Sequence, residues 1–151
     1  MIAADSPAAL AGAVGESATG EWFEIDQSRI QAFADATEDW QWIHLDAQRA
    51  ASGPFGATIA HGYLTLSLLP RLTAGLLSIG GTAMVVNYGL DRVRFLQPVL
   101  VGSRVRAVTE LTGLEESPQG YRAALTTTVE LEGSSRPALV AQTLALVVPE
   151  R

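Results

Sequence analysis

Residues 62–79 read GYLTLSLLPRLTAGLLSI, a stretch that is apolar on nearly every face and carries a single charge, Arg71. It predicts a helix from Gly62 to about Ile79 that is buried by its surroundings rather than half exposed. Pro70, which has no N–H and crowds the preceding turn, should kink that helix or end it early. Beyond Gly80-Gly81 the period changes. Tyr121, Ala123, Leu125, Thr127, Val129 and Leu131 alternate with Arg122, Ala124, Thr126, Thr128 and Glu130, the pattern of a strand with one covered face. Segments 82–96, 103–113 and 137–148 are also rich in Val, Thr and Leu and are bounded by Gly or Pro. Successive strands with short breaks imply an antiparallel sheet. About five strands beside one apolar helix make an α+β fold in which the helix lies across the sheet.

Upstream, Glu21 to Ile25 reads as a short strand. Asp26 offers an N-cap for a helix Gln27 to Thr37 with Ile30, Phe33 and Ala34 on one face, and Asp46 offers another for a brief turn through Ala47 to Ala51. The stretch from Asp39 to Gly56 is expected to be irregular with helical fragments. The first twenty residues, rich in Ala and Gly, are expected to pack at the periphery of a single domain spanning 1–151.

Of 151 residues, 48% are apolar and 17% charged, which excludes a disordered chain. The longest uninterrupted apolar stretches, such as Ala8 to Val14 and Leu144 to Val148, fall far short of the roughly 18 residues needed to cross a bilayer, so no membrane partner is expected. The N-terminal stretch has no Arg or Lys before its short apolar run, and a cytoplasmic location is expected. Sixteen acidic against ten basic residues leave a formal charge of −6, which opposes attraction to nucleic acid. Without cysteine there is no disulfide, zinc thiolate or thiol nucleophile, and without lysine no Schiff base. Acid–base chemistry is therefore concentrated at two histidines, His44 and His61.

His44 closes the densest polar cluster, Asp39-Trp40-Gln41-Trp42-Ile43-His44. Five positions place Asp39 and His44 about 140° apart on an ideal helix and on opposite faces of a strand, so they converge only if the backbone between them turns. Converged on one water, an ionised carboxylate and an imidazole suit general acid–base work. The alternative is that Asp39 caps a turn and His44 bonds a loop carbonyl. His61 and Gly62 directly precede the apolar helix, where backbone amides are unpaired; at Gly62 no side chain keeps a carbonyl oxygen from the amide. There the alternative is a tight helix entry with a structural histidine. Trp40, Trp42, Phe55 and Tyr63 either line a pocket or hold the loop in place. Arg92, Arg94, Arg104 and Arg106 pair up on strand faces, either to contact phosphates or to balance an acidic surface.

The run FADATEDWQWIHLDAQRAASGPFGATIAHGYLTLSLLP (33–70), followed by NYGLDRVRF (87–95), Pro98-Val99 and Val101-Gly102-Ser103, resembles the MaoC-like dehydratases, or R-specific enoyl-CoA hydratases (hydratase 2), and within them the NodN-like branch. The resemblance runs from about Ala9 to Val148. It implies a hot-dog fold, an antiparallel sheet wrapped around a long central helix, in a homodimer or higher homo-oligomer acting on an acyl-CoA or acyl-carrier thioester. It implies Asp39 and His44 as the catalytic pair, activating water for addition to a trans-2-enoyl thioester to give the (R)-3-hydroxyacyl product. Gly62 would be the oxyanion donor, with Gln41 and His61 beside it at the substrate and Arg92, Arg94, Arg104 and Arg106 as possible phosphate contacts. No metal or other cofactor is implied. The sequence departs from the hydratase 2 pattern in having Glu38 where Gly precedes the Asp, and Gln41-Trp42 where Asn-Pro is usual. A thioesterase on the same fold, or a non-catalytic acyl-thioester-binding subunit, are the rival readings.

Overall fold

The computed structural model describes residues 1–151. In chain order the strands are β1 (Ile2–Ala4), β2 (Ser17–Thr19), β3 (Phe23–Glu24), β4 (Leu77–Ile79), β5 (Thr82–Phe95), β6 (Arg104–Ser117), β7 (Gly120–Leu131) and β8 (Leu139–Pro149). The helices are α1 (Gln27–Thr37), α2 (Trp42–Leu45), α3 (Ala47–Ala51), α4 (Gly62–Ser67) and α5 (Leu69–Leu72). The expected alternation produces an antiparallel sheet ordered β2-β6-β7-β8-β5, with β3 also on β6. Along β7 the covered face holds Ala123, Thr127 and Val129, and the Thr127 hydroxyl shares a 2.8 Å bond with Thr109 of β6, so no buried hydroxyl on this pair is left unpartnered.

The helix expected over 62–79 is shorter and broken. Pro70, in the first turn of α5, has no N–H to give to the Leu66 carbonyl, and Leu68 joins the two pieces through Leu68 N to Leu64 O (3.0 Å) and Leu72 N to Leu68 O (2.9 Å). Gly75, at φ 76°, turns the chain away, and Leu77–Ile79 pair in parallel with Ile2–Ala4. The helix is also buried on one face only. Leu64, Leu68, Leu69 and Leu72 enter a cluster with Val105, Ala107, Val129, Leu139 and Ala141 of the sheet, while Tyr63 and Ser67 stay open. Each such leucine contributes about 1.5–3 kcal/mol by burial.

The N-terminal twenty residues are not peripheral. Ile2 and Leu10 are fully buried and form a second cluster with Leu111, Ala123 and Val147, at the opposite end of β6, β7 and β8 from the helix. β5 is the exception to the covered sheet: paired only with β8, it leaves Met84, Val85, Val86, Tyr88, Leu90 and Phe95 exposed. No helix is long and apolar enough to cross a membrane.

Candidate active site

Asp39 and His44 are brought together by the end of α1. Asp26 caps its start, accepting from Arg29 N at 2.9 Å, and at its other end Glu38 adopts the left-handed conformation (φ 60°, ψ 29°). The Glu38 and Asp39 amides both donate to the Ala34 carbonyl, a pair of hydrogen bonds that closes the helix at its left-handed residue. This is the turn that the five-residue spacing requires. It also gives Glu38 its place: the position is one where glycine is comfortable, and Glu38 is exposed to solvent.

His44, on α2, is buried, with 6% of its surface exposed, and is held from three sides. Its Nδ1 lies 2.7 Å from the Ile59 carbonyl. A carbonyl only accepts, so Nδ1 carries the hydrogen and Nε2 presents its lone pair. The His44 carbonyl accepts from Gln27 Nε2 at 2.8 Å, and Gln27 Oε1 in turn accepts from Thr58 Oγ1 at 2.6 Å. Ile59 N donates to Ile43 O, and the Thr58–Ala60 strip is itself bonded to Val99 and Val101. Burial is the main cause that holds the His44 pKa below its ordinary value, with His61 acting in the same direction, against the Ile59 bond and the Asp39 charge.

His61, 3% exposed, stacks on His44 with ring centroids 3.7 Å apart and planes 21° apart, and its Nε2 lies 3.0 Å from the Asp39 carbonyl. A ring nitrogen of each histidine and a carboxylate oxygen of Asp39 all lie within 4.8 Å of one another. One bridging water reaches two such acceptors, because two bonds of about 2.8 Å span up to about 5.6 Å. The trio is not a preformed metal centre as it stands: imidazole binds a cation in its ring plane, and two rings stacked nearly face to face share no nearby point in both planes.

Gly62 begins α4, and its N–H donates to no group of the protein. It lines a cavity of about 330 Å³ with Ile59, Thr65, Phe95, Gln97 and Val99 among the other walls. A Cβ on Gly62 would lie 3.1 Å from the Phe95 ring, so a side chain here would press on Phe95 and crowd the amide. Asp39 and His44 are not themselves walls of this cavity. They connect to it through the strip 59–62, whose Ile59 carbonyl holds His44 and whose His61 side chain holds Asp39.

The remaining expected residues divide. The Gln41 side chain is exposed and unbonded, and its main chain serves the turn: its amide lies 3.4 Å from Asp39 Oδ1 and its carbonyl accepts from His44 N. His61 faces Asp39 and His44 rather than the cavity. Arg104 and Arg106 are committed to Glu132 (3.0 Å) and Glu130 (2.7 Å) on β7 and the turn after it, whereas Arg92 and Arg94 make no ion pair and line a second concavity of about 230 Å³ with Leu96 and Gln142. Trp42 lies under the Arg49 guanidinium and Trp40 bonds Asp35, so both hold the loop rather than line the cavity, a place taken by Phe95. Gln27 and Thr58 went unforeseen; the only local signal was a Gln directly after the Asp26 cap.

A sheet carrying an apolar helix, with a free amide at the helix start and a carboxylate and two imidazoles gathered nearby, defines a hot-dog protein. The chain belongs to the MaoC-like domain family, whose model matches residues 10–132. It is 51% identical over 146 residues to 3-hydroxyacyl-thioester dehydratase Z of Mycobacterium tuberculosis, covering 95% of this chain and 97% of that protein. It is 46% identical to nodulation protein N of Rhizobium leguminosarum bv. viciae, covering 95% and 89%. Among solved structures, R-hydratase PhaJ1 from Pseudomonas aeruginosa in its unliganded form superposes with a TM-score of 0.77 at 27% identity, covering 98% of this chain and 88% of that one.

Proposed function

We propose that the chain is a lyase that adds water reversibly to a trans-2-enoyl thioester, giving the (R)-3-hydroxyacyl thioester. The observation that carries the reading is the gathering of Asp39 and His44 within reach of one water, tied through the strip 59–62 to the unpartnered Gly62 amide. The names and similarity of the dehydratase and R-hydratase relatives support it.

The chemistry follows from the donors and acceptors. His44 Nε2 and the Asp39 carboxylate are both acceptors, so they bind the two hydrogens of a water and leave an oxygen lone pair for C3 of the enoyl group. As the O–C3 bond forms, the C2=C3 π pair moves toward C2 and the thioester oxygen. The Gly62 N–H donates to that oxygen as its charge grows. One of the pair takes a water proton and a proton returns to C2 on the same face; the other hydrogen stays on the new hydroxyl. Atoms and charge balance with no net oxidation, so the reading calls for no redox cofactor.

Arg92, Arg94 and Gln142 are proposed to receive phosphates of the thioester carrier, since their concavity shares Leu96 with the cavity at Gly62. Pairing of β5 with a second copy is proposed to cover the apolar residues that this edge strand leaves open, as a homodimer requires. A series of trans-2-enoyl-CoA substrates, followed by loss of enoyl absorbance, tests the reading and gives the preferred acyl length. Hydration to the R product supports it. Release of free thiol without hydration assigns a thioesterase instead, and tight binding without turnover assigns a binding subunit.

A further inference from the structure

We propose that His61 is a positioning residue that locks Asp39 and His44 into one unit: its Nε2–H holds the main chain of Asp39 while its ring face supports the imidazole of His44. The inference rests on the hydration reading for its kinetic consequence, and on the geometry alone for its structural one. Asp39 sits on the short connector between α1 and α2 with 46% of its side chain exposed, so little packing fixes it. Its carbonyl accepts from His61 Nε2 and from no other group. The same ring lies flat on His44 and is flanked by Phe33 of α1 at 4.9 Å. His61 is also the residue immediately before Gly62, so one residue links Asp39 and His44 to the unpartnered Gly62 amide.

What the imidazole adds over an apolar ring is the bond to Asp39. Its Nδ1 is buried and has no partner, which costs free energy that phenylalanine would not, and packing against His44 and Phe33 needs only a flat ring. His61 is not a wall of the cavity, so it acts through Asp39 and His44 rather than on substrate. The ionisable groups facing it are the Asp39 carboxylate, 4.0 Å from Nε2, and His44; Phe33 contributes none.

The test uses His61→Phe, which keeps the ring and loses the bond, and His61→Gln, whose amide nitrogen restores a donor in place of Nε2. With two histidines in the chain, His61→Phe leaves only His44 to report by NMR. For His61→Phe, kcat of crotonyl-CoA hydration should fall about 10- to 100-fold with KM within about 2-fold, the cost of a misplaced reacting group rather than of lost binding. His61→Gln should recover part of kcat. The His44 titration midpoint should rise in both variants, because His61 no longer opposes its protonation. Wild-type-like kcat and an unmoved His44 midpoint in a folded His61→Phe overturn the inference. A wild-type protein that turns over no enoyl thioester overturns the hydration reading instead, and the His44 midpoint then decides the contact alone. If His61→Phe fails to fold, the same two readouts on His61→Gln decide.

Discussion

At the residue scale, His44 is oriented by its Nδ1 bond to the Ile59 carbonyl. A hydrogen on Nδ1 leaves Nε2 as the acceptor that the proposed hydration needs. The support extends to Gln27, which satisfies both the His44 carbonyl and the Thr58 hydroxyl. Gln27→Leu strips both of their partner, and a loss of about 1–3 kcal/mol in denaturant unfolding is expected, with a fall in kcat as α2 loosens. A Gln27→Leu protein of unchanged stability would contradict this account of the strip. The lowered His44 pKa has a second consequence. Between its folded value and the ordinary 6.5 the unfolded chain binds more protons, so stability should fall as the pH drops through that window. Chemical denaturation across the window, compared with His44→Gln, checks it; equal slopes in the two proteins would count against the assignment. The types and order of Asp39, His44 and Gly62 were legible in the sequence. The commitment of Arg104 and Arg106 to β7 and its following turn was not, because an ion pair depends on register, which strand periodicity leaves open.

At the element scale, local chemistry set some bounds and distant partners set others. Asp26 and Asp46 announce α1 and α3, because an N-cap is decided within three residues. The end of the apolar helix was illegible: Leu76 to Ile79 are as apolar as what precedes them, and only Ile2–Ala4, at the other end of the sequence, make them a strand. The packing of the N-terminal segment was illegible for the same reason, since Ala and Gly content does not reveal that Ile2 and Leu10 fill the second cluster. Glu38 belongs to this scale as well. Its left-handed conformation costs an L-residue about 1–2 kcal/mol, offset in part by the larger backbone entropy of glycine. Glu38→Gly should therefore raise the free energy of unfolding by roughly 0.5–1 kcal/mol without changing the rate; a destabilised variant would show that the Glu38 side chain contributes something the turn geometry does not.

At the scale of the whole molecule, the apolar excess has three destinations: the cluster under α4 and α5, the N-terminal cluster, and the uncovered strand β5. The third is the one a single chain leaves unsatisfied, and long exposed edge strands invite pairing. A charge there, as in Val86→Glu, should shift the protein toward monomer in sedimentation; an unchanged assembly would place the contact elsewhere. Activation of one water by the Asp39 carboxylate and the His44 imidazole is the centre of the proposed function. Its most direct measurement is the initial rate of crotonyl-CoA hydration by the wild-type protein and by Asp39→Asn, side by side at equal concentration. The account predicts turnover by the wild type and a loss of about 10²-fold or more in the variant, whereas an undiminished rate in Asp39→Asn would contradict it.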